Sequence, residues 1–410
     1  MSDSRRAFRK PAASTGPVLP PGSENWPRPW VILKYYTFHP HVFPKMLGPS
    51  SVDVRPGDLV GVYDRNGNRF GTGLYNPMAR IPLRVVALGA LPLGEEDLDA
   101  RVDAAMDLRE RYWNRPETDA CRIVNSDGDG LGGLIVDRYA DVLLAEVSSL
   151  ACFIRLDRWL ARMHARLGTK RHVVRVDPEI GRIEGIDLRQ IPEAGVRSVR
   201  IREHGVRYEV NFEEGHKTGF FCDQSDNRLR LSRLVKDARM LDLCSYTGGF
   251  SLCAKVLGGA ADVTAVDLDE KAVEQGKRNM NLNQVRINWV HADAFSYARQ
   301  MKANGAQWDV MVLDPPKFVH DAETAAEGRR KYEDLNNLGL SLVSKGGLLV
   351  TCSCSGQLSA VDFEEIVVRA AQRSGRQVQI LDRTGAGYDH PMMTQCPESR
   401  YLKLVWARVL

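Results

Sequence analysis

Two short segments hold residue types able to do chemistry on a flat ring: Leu313-Asp-Pro-Pro-Lys-Phe318 and Thr351-Cys-Ser-Cys-Ser-Gly356. Each ends an apolar run, Trp308 to Leu313 and Gly346 to Val350, that reads as a buried strand of a parallel sheet. Ligands of such sheets bind in the crevice outside the strands' carboxyl ends. Asp314 would therefore face two thiols, Cys352 and Cys354, across one site. The acid suits the edge of an electron-poor ring, and a thiolate suits attack on it. Pro315 and Pro316 fix φ and stiffen the loop, so that Asp314 and a proline carbonyl form a rigid acceptor pair. Phe318 is a candidate stacking ring for an inserted base. Lys317 is a candidate for lowering a thiol pKa or touching phosphate.

These residues need strands, and strands need domains to carry them. A chain of 410 residues exceeds one ordinary core, so two or three domains are expected. With 43% hydrophobic and 26% charged residues and no long apolar stretch, it reads as a soluble protein without a membrane partner. The start of the chain lacks a signal-like apolar segment, so a cytoplasmic location is expected. Eight cysteines without paired C-x-x-C spacing argue against a zinc site or a disulfide framework and fit a reducing compartment. The formal charge of +4 does not identify a nucleic-acid binder, although Arg197 to Arg207 and Arg228 to Arg233 are locally basic.

Along the chain, residues 1–29 are rich in Ser, Pro, Gly and Arg and read as a disordered arm. Residues 30–92 show short alternating runs with Asn66-Gly67 as a hairpin turn, the pattern of a small β barrel. Residues 93–200 form a mixed α+β region. Its Gly128-Asp-Gly-Leu-Gly-Gly133 stretch lacks the flanking strand and helix of a phosphate cradle and reads as a flexible turn. Residues 201–410 alternate strand and helix, with a helix expected at Glu333 to Val343 and a final antiparallel strand pair. The fold class is α/β, a doubly wound Rossmann-like domain preceded by the two smaller ones.

Strand Met240 to Leu243 runs through Asp242-Leu-Cys-Ser-Tyr-Thr-Gly-Gly-Phe250 into a helix, a turn that lets backbone approach a ligand. Its spacing is not G-x-G-x-x-G, which disfavours a pyrophosphate. Asp242, Ser245, Tyr246 and Gly248 are candidate cofactor contacts. Asp267, ending the second strand, is placed to grip ribose hydroxyls. Asp293 and Ala294, after the third, could hold an adenine edge. With Asp314 after the fourth strand, this series of strand-end acids resembles a class I S-adenosylmethionine methyltransferase. S-adenosylmethionine is the expected cofactor.

Asp-Pro-Pro alone leaves open methylation at an exocyclic nitrogen, which needs no thiol, or at a ring carbon. Carbon 5 of cytosine is too weak a nucleophile unless a thiolate first adds at carbon 6. The strand is expected to end here, which leaves Cys352 and Cys354 undistinguished by pattern.

The chain from Trp30 onward resembles the bacterial 23S rRNA (cytosine-5)-methyltransferase I family. The resemblance is carried by Gly67-Asn-Arg-Phe-Gly-Thr-Gly-Leu-Tyr-Asn76, Ser126 to Leu131, Glu203-His-Gly205, Ser245 to Phe250, Asp314 to Phe318 and Ser353-Cys-Ser-Gly356. Gly215-His-Lys-Thr-Gly-Phe-Phe-Cys-Asp-Gln224, Asn227-Arg228, Asp389-His-Pro391 and Tyr401-Leu-Lys403 extend it. It implies a PUA domain at 30–92 that docks RNA, and a methyltransferase domain at 201–410. It implies Cys354 as nucleophile, Asp314 as the residue orienting the cytosine, and Pro315, Pro316, Lys317 and Phe318 as the base's surroundings. The family closes over its cofactor just before the first sheet strand, which implies Lys217, Thr218, Gly219, Phe221, Asp223 and Arg228 as further cofactor contacts. The implied partner is RNA, 23S rRNA or a large-subunit precursor, and a homodimer is compatible with the sequence. The arm before Trp30 has no role in the resemblance.

Overall fold

The computed structural model describes residues 19–112, 115–213 and 219–410. The chain divides into two compact units, one ending at Gly94 and the other beginning at Glu95. The first unit has strands β1 (Trp30–Leu33), β2 (His41–Val42), β3 (Leu47–Ser50), β4 (Leu59–Tyr63), β5 (Arg69–Tyr75) and β6 (Leu83–Leu88). They form a six-stranded sheet in the order β2-β6-β5-β4-β1-β3. Asn66-Gly67 does turn the β4–β5 hairpin, Gly67 taking φ 87° as such turns require. Of the expected arm, residues 1–18 lie outside the described residues. The remainder is ordered chain: Trp26 stacks on Tyr63 with ring centroids 3.9 Å apart and 10° between planes. A large aromatic pair outweighs the local Pro/Gly composition there.

The second unit opens with α1 (Glu95–Tyr112), followed by β7 (Ala120–Asn125), β8 (Leu134–Tyr139), β9 (Val142–Val147), α2 (Leu150–Phe153), α3 (Leu156–Leu167), β10 (Arg171–Arg175) and α4 (Pro178–Glu184). The four strands make a sheet in the order β10-β9-β8-β7. The hairpin of β11 (Ser198–Glu203) and β12 (Val206–Asn211) follows. Tyr139, Val142 and Leu144 share one core with Tyr208, Met240 and Val310. The region before residue 200 therefore packs on the sheet that follows it. The glycine-rich stretch at 128–133 is not a loose turn. Arg109 binds Asp129 with two hydrogen bonds, 2.7 and 2.9 Å, and a Cβ on Gly128 would stand 2.0 Å from the Pro391 carbonyl oxygen. Its glycine is there for a close approach of backbone.

Then come α5 (Ser225–Ser232), β13 (Arg239–Leu243), α6 (Gly249–Val256), β14 (Asp262–Asp267), α7 (Glu270–Leu282), β15 (Asn288–His291), α8 (Ala294–Ala303), β16 (Trp308–Leu313), α9 (Ala325–Leu342), β17 (Val343–Ser353), α10 (Ala360–Ser374), β18 (Val378–Thr384) and β19 (Lys403–Val409). The sheet order is β15-β14-β13-β16-β17-β19-β18. β19 runs antiparallel to both its neighbours, as expected of the closing pair. Helix α9 starts at Ala325, ahead of the expected Glu333, because its first turns (Ala-Ala-Glu-Gly-Arg-Arg-Lys) carry almost no apolar periodicity. Among the described residues no helix is long and apolar enough to cross a membrane.

Beneath the first βα turn lies a buried ion pair. Arg228 on α5 donates from Nε and Nη2 to Glu203 at the end of β11, both at 2.7 Å, and Nη2 also reaches the Phe221 carbonyl at 2.7 Å. The guanidinium lies over the Phe220 ring, 4.7 Å from its centroid. Removing one partner of such a pair leaves a buried charge uncompensated, at a cost of about 3–5 kcal/mol. Glu203→Gln is expected to lose stability on that scale in urea unfolding. A loss within about 0.5 kcal/mol, the range of an ordinary surface substitution, would contradict the bracing role.

Candidate active site

Strand register builds the site. Leu243 on β13 pairs with Leu313 on β16, and Leu313 with Thr351 on β17. The next residues, Cys244, Asp314 and Cys352, thus stand at one level, where β13 and β16 end while β17 runs on to Ser353 against β19. This is where the strand order reverses direction, the crevice in which such sheets bind ligands. The Asp314 amide donates to the Leu243 carbonyl at 3.3 Å, and Gln224 Nε2 donates to Asp314 Oδ2 at 3.1 Å. Burial, then the Asp223 carboxylate, push the Asp314 carboxyl up to about 7.

The two thiols that pattern left equivalent have different surroundings. Cys352 is fully buried and bonded to the Asp314 carboxylate, and burial with that charge holds its thiol well above the ordinary range. Cys354, just past the end of β17, is partly exposed, its Sγ 4.0 Å from the Pro315 carbonyl oxygen. Its loop is pinned on both sides. Ser355 Oγ accepts the Val319 amide at 3.2 Å and meets the Tyr332 hydroxyl at 3.0 Å, while the Ser355 carbonyl accepts from Lys403 Nζ at 2.5 Å. Pro315 is buried, and Pro316 and Lys317 are exposed. Phe318 packs sideways on Tyr332 (centroids 4.8 Å) and towards Phe295 (6.2 Å), a core position.

The cofactor side is the turn after β13. Cys244, Tyr246 and Gly248 all take left-handed φ (62°, 49° and 87°), a strained path for two residues that are not glycine. A Cβ on Gly248 would stand 2.6 Å from the Trp289 ring. Asp267 Oδ2 accepts the Tyr246 amide at 2.7 Å and so fixes the turn. Tyr246 meets Phe221 edge to face at 5.1 Å and donates to the Gly219 carbonyl at 3.3 Å. Asp293 caps α8 through Ser296 at 2.8 Å, with Ala294 buried behind it. Arg228 is engaged by Glu203 as described, and Lys217 and Thr218 lie outside the described residues.

Among the described residues, Asp223 Oδ1, Asp242 Oδ1 and Ser245 Oγ in this wall are buried without a partner. Their companions are satisfied, Asp242 Oδ2 by Ser251 Oγ at 2.7 Å and Asp223 Oδ2 by Tyr401 Oη at 2.6 Å. Asp267, Asp314, Asp242 and Asp293 all press on the Cys244 thiol, and burial lifts Asp242 to about 7. Unfilled acceptors amid crowded carboxyls fit a ligand bearing ammonium and sulfonium charge, as S-adenosylmethionine does.

Sequence reasoning met Lys403, which stands opposite Ser353 in the β17–β19 register, only within a matching stretch and gave it no role. It also missed the support behind Asp223, where Arg122 binds Asp137 (2.6 Å) and donates its amide to Asp389 Oδ2 (3.0 Å). Only the long-range pairing of the last strand reveals Lys403.

Residues 188–391 match the family model of an S-adenosylmethionine-dependent methyltransferase, and residues 33–87 that of a PUA-like domain. The chain is 33% identical over 379 residues to the ribosomal RNA large subunit methyltransferase I of Alteromonas mediterranea, covering 89% of this chain and 93% of the relative. It is 36% identical over 389 residues to the ribosomal RNA large subunit methyltransferase of Deinococcus radiodurans, covering 90% and 93%. The solved structure of SMU.776, described as a methyltransferase complexed with SAH, is alike in fold, with a TM-score of 0.74 at 21% identity over 88% of this chain and 93% of that one. The expected class I methyltransferase fold, its S-adenosylmethionine cofactor and the PUA-like domain are borne out.

With both carboxyls near 7, Asp242 and Asp314 are mostly protonated at pH 6 and mostly ionised at pH 8. Calorimetric titration is expected to show S-adenosylmethionine binding about tenfold tighter at pH 8 than at pH 6, the scale of one fully coupled ionisation over this range. S-adenosylhomocysteine, which lacks the sulfonium charge, should change less. Equal slopes for the two ligands would contradict charge attraction by these acids.

Proposed function

The chain belongs to the family of ribosomal RNA large subunit methyltransferases I, and from that premise we propose that it methylates carbon 5 of a cytosine in 23S ribosomal RNA through an adduct with Cys354. The observation that carries this reading is the unequal pair of thiols, one locked on Asp314 and one accessible beside the Asp-Pro-Pro loop. S-adenosylmethionine, when bound, supplies an electrophilic methyl group. Asp242, Ser245 and Asp223 offer the unfilled polar atoms for it, and Asp267 holds the turn that shapes its site.

Cys354 Sγ adds to carbon 6 of the ring, which gives carbon 5 enamine character and lets it accept the methyl. Solvent water then takes the carbon-5 proton, and the electron pair of that C–H bond re-forms the ring double bond as the thiolate leaves. Asp314, with a carboxyl near 7, has both protonation states at hand to donate to the ring nitrogen or accept from the exocyclic amine. Pro315 and Pro316 keep it from swinging away. The cytosine leaves its stack to reach this depth. The PUA-like domain docks the RNA, in the cytoplasm.

Bisulfite mapping of large-subunit RNA, from cells with and without the protein, is expected to show one cytosine losing its signal. Complementation with Cys354→Ala should leave it unmethylated, a rate loss on the order of a thousandfold or more when a nucleophile is removed. Cys352→Ala should restore it. Methylation by Cys354→Ala at the normal rate would overturn the covalent route and favour transfer to nitrogen.

A further inference from the structure

Lys403 is a buried ammonium with no acid among the groups that act on it within the described residues. It is 4% exposed, and the groups acting on it are Cys354, Arg400 and Lys317, the last two cationic. Among the described residues it forms no ion pair with a carboxylate. A desolvated cation among cations is unfavourable unless a counter-charge appears in its site. Its placement says where. Lys403 pairs across the sheet with Ser353, and its Nζ donates to the Ser355 carbonyl at 2.5 Å, so these contacts bracket Cys354. Tyr332, on Ser355 Oγ, faces the same thiol.

We propose that Lys403 is the electrostatic partner of Cys354, holding its sulfur as thiolate before attack and again on departure from the ring. This rests on the cytosine reading above. The S–H bond breaks with its proton passing to solvent water, and the electron pair stays on sulfur beside the ammonium. That pair forms the bond to carbon 6, and returns to sulfur when the bond breaks. Nothing is oxidised or reduced. A cation beside a thiol favours the thiolate, and the arrangement has a built-in upper limit. Burial brings Lys403 down to about 8, so its charge is present at pH 7 and fades above pH 8.

The test uses the full-length protein without RNA. Iodoacetamide, being uncharged, reads thiolate content without being steered by the lysine, and peptide mass spectrometry isolates Cys354 from the other seven cysteines. Lys403→Met is expected to move the midpoint of the Cys354 alkylation profile upward by at least about one unit, slowing alkylation at pH 7 about tenfold or more. Lys403→Arg should stay within about threefold of wild type, since it keeps the charge. Lys403→Gln repeats the neutral arm should Met disturb folding, with retained S-adenosylmethionine binding as the check. Coincident profiles for wild type and a folded neutral variant would overturn the proposal, as would Lys403→Arg falling as far as Lys403→Met. Undiminished methyl transfer by Cys354→Ala would instead remove the cytosine reading, a result separate from any alkylation midpoint.

Discussion

The site depends on strands held in register. β13, β16 and β17 are in register at Leu243, Leu313 and Thr351, so each delivers its next residue to the same level of one crevice. A slip of one residue in any of the three would turn its terminal side chain to the opposite face. The antiparallel β19, added on the far side of β17, brings Lys403 opposite Ser353 and closes the group. Chemistry drawn from positions 242 to 403 becomes local because a hydrogen-bond ladder makes it so.

That convergence has an electrostatic cost. Burial pushes Asp242 and Asp314 up to about 7, with Asp314 and Asp267 adding to the rise at Asp242 and Asp223 to that at Asp314. Hydrogen bonds from Ser251 and Gln224 offset part of the cost. The turn through Cys244 and Tyr246 adds backbone strain. The surroundings over-determine this arrangement through Glu203–Arg228, Arg122–Asp137 and the Asp389 contacts, all buried or nearly so. A positively charged methyl donor is a ligand that relieves such crowding.

What sequence could reveal was what sequence encodes locally. The Asn66-Gly67 hairpin, the strand–helix alternation after residue 239 and the acids at strand ends each rest on a few adjacent residues. The choice between Cys352 and Cys354 does not. It depends on where β17 ends, and on Asp314 and Gln224 reaching the buried Cys352. Gly128 looked like part of a loose turn because its neighbour, Pro391, lies far away along the chain. Glu203 and Arg228 are ordinary surface residues by type, and only the fold buries them together. Phe318 offered a plausible stacking ring, but an aromatic just past a strand is as easily spent on the core, which is where Tyr332 holds it.

The central claim is that Cys354, and no other thiol, joins the RNA. The most direct measurement is mass spectrometry of protein incubated with S-adenosylmethionine and RNA carrying 5-fluorocytosine at the target position. Fluorine at carbon 5 cannot leave as a proton does, so a covalent adduct would be retained through denaturation. The expected result is a crosslinked nucleotide that fragment ions place on Cys354 and not on Cys352 of the same peptide, dependent on S-adenosylmethionine. No adduct despite binding of both ligands, or an adduct on Cys352, would contradict it.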